Sequence, residues 1–253
     1  MKAIACVMVI LVLGPVATCQ SAGPPDGGAA ASSKAAAIAA LRQAGAGVEL
    51  DDAQAIQSIS AIDTKIGDAQ LAVLGALPEL EALTICRGPV SDAGLAHLRR
   101  LTSLKRLYLR ELPITDAGLV HLQNLPHLEV LSLPGTRVTS QGLAHLKNLQ
   151  QLRVLNLSRD EITDAGLAHL KGLANLDTLS LQNTKVTGAG LIYLRSLPNL
   201  RVLNLAHCRV ADWSLAYLEE SQNLRMLYLE GCSVSDVGVK RLYDLIDGLA
   251  VYR

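Results

Sequence analysis

Residues 152–175 read LRVLNLSRDEITDAGLAHLKGLAN, and the same phrase returns every 24 residues along most of the 253-residue chain. Leu80, Leu104, Leu128, Leu152, Leu176, Leu200 and Leu224 mark its first position. Two spacings coexist inside it. Leu155 and Leu157 alternate with Val154, Asn156 and Ser158, the period of a short strand with one buried face. Leu167, Leu170 and Leu173 recur every three residues, which suits one side of a helix or of a tighter helical turn. A unit this small cannot bury its own apolar face and must stack on its neighbours, so the period predicts a solenoid.

Strands that return in the same direction at each period form a parallel sheet, with the helical segments covering its other side. Strands pack ~4.8 Å apart and helices ~8 to 10 Å apart, which bends the stack with the sheet on the inside. Ser91-Asp92, Thr115-Asp116, Thr163-Asp164 and Ser235-Asp236 open the helical segments and are read as N-caps, the acid complementing the helix dipole. On this reading the column Asp68, Asp92, Asp116, Asp164, Asp212 and Asp236 needs no role beyond capping. Gly94, Gly118, Gly166 and Gly238 follow two residues after the acid, and Gly142 and Gly190 hold the same place after Ser140 and Gly188. Glycine in a helix costs ~1 kcal/mol relative to alanine, so its recurrence implies a neighbouring coil too close for a side chain.

The pattern LxxLxLxx(T/C)x(I/V)TDAGLxHLxxL resembles the leucine-rich-repeat family, in particular the cysteine-or-threonine variety found in ribonuclease inhibitors, F-box proteins and exported bacterial proteins. The resemblance implies an α/β fold: a right-handed, horseshoe-shaped solenoid of about eight repeats with a parallel inner sheet and outer helices. The family's usual Asn or Cys position is held by Thr64, Gly88, Leu112, Thr136, Asp160, Thr184, Cys208 and Cys232. A hydrogen-bonded ladder is therefore expected to lapse at Gly88 and Leu112.

Residues 1–19 pair one basic residue, Lys2, with an apolar core from Ala3 to Leu13 and then small residues, the layout of an export signal. That core is shorter than the ~20 apolar residues of a membrane-spanning helix. Val16-Ala17-Thr18-Cys19 resembles a bacterial lipobox, which implies lipid attachment at Cys19; a plain cleaved signal is the alternative. The expected destination is periplasm, cell envelope or exterior, with membrane contact only through that N-terminal anchor. Residues 20–32, rich in Gly, Ala, Pro and Ser, read as a flexible linker. A capping helix is expected over 33–47, with Ser33 as N-cap and Gly45 and Gly47 ending it. The repeat domain then fills 48–253: a degenerate first repeat runs from Ile56 to Glu79, and Leu249 to Tyr252 is a last closing strand.

Lys plus Arg equal Asp plus Glu at 23 each, a neutral balance that argues against nucleic-acid or anionic-membrane binding. The chain lacks an HExxH, a glycine-rich phosphate loop and a nucleophile motif, so it is read as a non-enzyme without a cofactor. His97, His121, His145 and His169 form a column continued by Tyr193, Tyr217 and Arg241. Its members sit on the helical side, too far apart to share a zinc ion. Cys208 and Cys232 occupy one position in adjacent repeats, open either to a disulfide or to side-by-side free thiols. Glu81, Lys105, Glu129, Arg153, Asp177 and Arg201 alternate in sign before the strands, which penalises slipped stacking. Trp213, the single tryptophan, fits either a widened coil or an outer contact.

The expected working surface is the inner sheet, whose outward positions are small and polar in the middle and carry Tyr, Met and Arg at the ends, types enriched at interface hot spots. Arg87, Arg106, Tyr108, Arg110, Glu111, Arg159, Met226 and Tyr228 are the candidate partner-binding residues, with Arg106, Tyr108, Arg110 and Glu111 as the best single anchor. The sequence thus reads as a monomeric scaffold for a protein or peptide partner. Two alternatives are a structural or adhesive envelope protein without a discrete ligand and the recognition arm of a larger complex; an enzyme or glycan binder is a further rival.

Overall fold

The structure is a computed structural model that describes residues 28–51 and 55–253. Ten strands, β1 (Gly47–Leu50), β2 (Ile56–Ile62), β3 (Ala82–Cys86), β4 (Arg106–Arg110), β5 (Val130–Ser132), β6 (Val154–Asn156), β7 (Thr178–Ser180), β8 (Val202–Asn204), β9 (Met226–Tyr228) and β10 (Ala250–Tyr252), lie in chain order in one sheet. The sheet is open, and β2 to β10 pair in parallel. Leu107, Leu131, Leu155, Leu179, Leu203 and Leu227 stand in register across it, and each is buried at 0% exposure. They join the leucines of the helical side in one continuous core, where each fully buried leucine contributes roughly 1.5–3 kcal/mol.

The helical side is tighter than a row of ordinary helices. In α2 (Asp68–Leu71), α3 (Asp92–Leu95), α4 (Asp116–Leu119) and α5 (Asp164–Leu167) four residues make one α-turn. Three-residue-per-turn helix follows at 72–76, 96–100 and 168–170 and replaces the α-turn altogether at 142–146, 188–196 and 212–218. Leucines three apart line up on one side of a 3₁₀ helix, so all three reach the core from a short segment. Among the described repeats, α6 (Asp236–Leu245), at the far end, is the one α-helix that runs for ten residues.

The aspartate column clamps the next coil and leaves capping to its Ser and Thr neighbours. Ser91, Thr115 and Thr187 cap their own turns by accepting from Ala93, Ala117 and Ala189 N–H, while the aspartates reach across to the next coil. Asp116 Oδ1 accepts from Thr139 N–H at 2.7 Å and Oδ2 from Thr139 Oγ1 at 2.6 Å. Asp68, Asp92, Asp164 and Asp212 grip Ser91, Thr115, Thr187 and Ser235 in the same way. Each carboxylate also fills the space above the next coil's glycine. A Cβ at Gly94, Gly118, Gly142, Gly190 or Gly238 would fall well under 3.0 Å from the preceding aspartate's Oδ1. The close neighbour inferred from the glycines is therefore a side-chain clamp. Asp116→Ala should cost about 1–3 kcal/mol, because two donors of the next coil lose their partner; urea denaturation would read it, and an unchanged midpoint would show the clamp to be idle.

The chain leaves each of β2 to β9 through a left-handed residue: Asp63, Arg87, Glu111, Arg159, Asn183 and His207 have φ between 52 and 65° and Gly135 and Gly231 lie at 71 and 69°. This tight corner returns the chain toward the helical side at a cost of roughly 1–2 kcal/mol for a non-glycine residue. Sequence reading did not anticipate it.

At the N-terminal end α1 (Gly28–Gln43) starts five residues before the expected Ser33 cap. Ala29-Ala30-Ala31 are strong helix formers, so propensity carries the helix back into the segment read as linker. The helix ends at Gln43, and Gly45 supplies the φ of +94° that turns the chain. The expected helix over 33–47 is corrected again there, because β1 begins at Gly47 and pairs antiparallel with β2, Val48 opposite Ile59. Alternation of Val48 and Leu50 around Glu49 is its sequence signal. Ala37 and Leu41 of α1 are buried, and Lys34 pairs with Glu79 at 2.6 Å, so the first coil is covered. The export signal, the lipobox cysteine and linker residues 20–27 lie outside the described residues.

Candidate partner-binding face

The register places side chains on the open face of the sheet in straight rows. One row crosses Arg106, Val130, Val154, Thr178, Val202 and Met226, and the next crosses Tyr108, Ser132, Asn156, Ser180, Asn204 and Tyr228. Ala82, Ser132, Ser158 and Ala206 occupy outward positions yet are buried, because larger neighbours on the same face shade small side chains. The middle satisfies its own hydrogen bonds. Asn156 Oδ1 accepts from Ser158 N–H and Oγ–H, and the Ser158 and Ser180 hydroxyls meet at 2.8 Å. Asn204 Oδ1 accepts from Ala206 N–H.

Two clusters flank this quiet centre. On β4, Arg106 and Tyr108 are both half-buried; burial raises the Tyr108 pKa against the pull of Arg106, so the phenol stays a neutral donor. Arg106 makes no ion pair among the described residues, whereas Arg110 Nε donates to Glu111 Oε1 at 3.0 Å. On β9 and β10, Tyr228 and Tyr252 stack with centroids 4.6 Å apart and planes 11° off parallel. Tyr228 Oη points to Met226 Sδ at 3.8 Å, and Met226 is 41% exposed. Tyr252 escaped the sequence reading although it lies 24 residues after Tyr228; carrying the register one strand past β9 would have found it. The two clusters stand five strands apart, roughly 24 Å at ~4.8 Å per strand.

Three candidates are placed elsewhere. Arg87, Glu111 and Arg159 occupy the left-handed corners and not the pleated face. Arg87 pairs with Asp63 across one corner at 2.5 Å, and Glu111 is taken up by Arg110. They form a rim, because a residue with positive φ no longer follows the strand's alternation. The structure thus keeps Arg106, Tyr108 and Arg110 together on β4 and Met226 with Tyr228 on β9.

The remaining columns are accounted for by neighbours. Arg99 Nε donates to His121 Nδ1 at 3.0 Å; burial and then the Arg99 charge lower the His121 pKa, so the ring stays neutral and accepts. Lys171 Nζ sits 5.0 Å over the Tyr193 ring, and Arg241 pairs with Glu219. Trp213 is an outer residue, 61% exposed and edge-on to Tyr217 at 6.3 Å. Cys208 and Cys232 are free thiols, each donating to a carbonyl of the preceding coil, Leu181 at 3.0 Å and Leu205 at 3.1 Å. Lys105 with Glu81 at 2.6 Å and Arg201 with Asp177 at 3.7 Å join successive coils along the sign-alternating column.

A family model for the leucine rich repeat matches residues 126–186, and one for two copies of the repeat matches 174–217. With the 24-residue register of buried leucines, these matches decide the family. The chain is a leucine-rich-repeat protein. Among solved structures it is similar to an internalin C2 from Listeria monocytogenes, with 26% identity and a TM-score of 0.63 over 78% of this chain and 80% of that one. A leucine-rich-repeat protein from Leptospira interrogans shares the fold at 21% identity and a TM-score of 0.53, with 72% of this chain covering 51% of that one. A plant ice-binding protein shares it at 19% identity and a TM-score of 0.55, over 81% of this chain and 66% of that one. Comparison with curated proteins gives no sequence match. Among the described residues of this leucine-rich-repeat protein, no helix is long and apolar enough to cross a membrane.

Proposed function

We propose that this leucine-rich-repeat protein is an exported, non-enzymatic scaffold that works as a monomer and binds a protein or peptide partner on the open face of its sheet. The observation that carries the reading is the pair of clusters, Arg106 with Tyr108 and Met226 with Tyr228 and Tyr252, on either side of a hydrogen-bonded centre of the face. Tyr, Met and Arg supply interface energy out of proportion to their number. Strands locked in register hold them in place beforehand, so little ordering entropy is lost on association. Likeness to internalin C2 along 78% of the chain supports a display scaffold. Export rests on the basic and apolar opening of the sequence, with Cys19 as the attachment residue if the anchor is a lipid.

Proximity labelling in the native cell would identify the neighbour, and binding of that purified partner would then test the face. Arg106→Ala with Tyr108→Ala should weaken binding at least tenfold, a loss of about 1.4 kcal/mol or more, while thermal melting stays close to wild type. Equal binding by the double variant and wild type would overturn this choice of site.

A further inference from the structure

The rung beneath the centre of the sheet holds a carboxylic acid in a column of donors. Thr184 Oγ1 donates to the Leu181 carbonyl at 2.8 Å. Cys208 and Cys232 donate to the carbonyls of Leu181 and Leu205, each 27 residues earlier. Asp160 stands at the same position and is 3% exposed. Its Oδ1 accepts twice, from Thr136 N–H at 2.7 Å and Thr136 Oγ1 at 2.9 Å. Its Oδ2 is buried and receives no hydrogen bond. An ionised carboxylate only accepts, so this oxygen would be a desolvated charge without a donor, whereas a protonated one gains an O–H. The 27-residue step of the two cysteines points to the Leu133 carbonyl as the expected acceptor for that hydrogen.

We propose that Asp160 is kept as a neutral carboxylic acid whose Oδ2–H donates within the ladder, so that the stack carries a proton at its middle rung and loosens there when the proton leaves. The surrounding charges favour this state. From its own coil Asp160 feels the like charge of Glu161, whose side chain is exposed and paired with Lys185 of the following coil. Arg137 of the preceding coil and Arg159 are exposed, and no cation among the described residues pairs with Asp160. Burial is the largest influence on its acidity, opposed by the Thr136 bonds, and pushes the pKa up to about 7.

In the unfolded chain the same carboxyl ionises near 3.8. Stability from the protonated rung is therefore present in full below that value, falls as pH rises above it, and is lost once pH passes about 7. Unfolding measured in urea from pH 5 to pH 8 reads this directly. The wild-type unfolding constant should rise at least tenfold across that range beyond the change seen in Asp160→Asn, whose amide keeps both an acceptor and a donor without a charge. Groups common to both proteins cancel in the difference. Parallel pH profiles would overturn the proposal. If Asp160→Asn fails to fold, carbon-13 NMR of the wild-type carboxyl serves instead: a midpoint above 6 supports the neutral acid, and one below 5 overturns it.

Discussion

Leu155→Asp is expected to cost roughly 5 kcal/mol or more and to leave the chain largely unfolded near neutral pH. Leu155 is 0% exposed and pairs between Leu131 and Leu179 in the sixth of ten strands. Truncation of a buried leucine alone costs about 2.7–5 kcal/mol, and an unpaired carboxylate in the same place adds its desolvation. A domain holds only about 5–15 kcal/mol in total. Position sharpens the effect: in a stack where each coil contacts only its neighbours, damage at β6 separates two half-stacks instead of fraying one end. Leu245→Asp, at a residue 44% exposed on α6, is the control and should shift stability by no more than about 0.5 kcal/mol. Far-UV circular dichroism and urea titration read both; an unchanged midpoint for Leu155→Asp would overturn the strand register.

The register was legible in the sequence because burial is binary along a strand: Leu155 and Leu157 must face inward together, and a shift by one residue would expose both. The left-handed corners were not, since Arg87, Glu111 and Arg159 are ordinary residues held there by the pull of the next coil rather than by their own preference. For the same reason Arg87, Glu111 and Arg159 were assigned to the face and are found on the rim. The aspartates were read as caps, but the caps are the Ser or Thr residues before them, and the carboxylates hold the next coil instead. Their partners, 23 residues on, are visible only when neighbouring coils are set side by side. The Tyr228–Tyr252 stack was missed at the chain's end, where the phrase fades although the spacing persists.

One junction departs from the clamp, and it gives the second large effect. Gly188 stands where the other junctions place aspartate or, at Ser140, a serine that accepts from Thr163 N–H; Ala211 stands where they place serine or threonine, and Ser214 where they place glycine. The three changes are consistent: Ser214 occupies the space a carboxylate would need and turns its hydroxyl to the Ala211 carbonyl at 2.6 Å. Even a Cβ at Gly188 would fall well under 3.0 Å from Ser214 Cβ. Gly188→Asp should therefore cost about 3 kcal/mol, the upper end of overpacking, since the obstacle is a Cβ and cannot swing aside. Trp213 also approaches, at 3.2 Å, but by the ring edge of an exposed side chain, which can move. Ser214→Gly alone should lose about 1 kcal/mol with its hydrogen bond. Combined, the two reopen the space and let the new carboxylate accept from Ala211 N–H; adding Ala211→Thr supplies the hydroxyl found at the other junctions. Stability should rise in that order, with a coupling of at least about 2 kcal/mol between positions 188 and 214 in a double-mutant cycle. Additive losses would mean that the junction is held by something other than this exchange of one side chain's volume between adjacent coils.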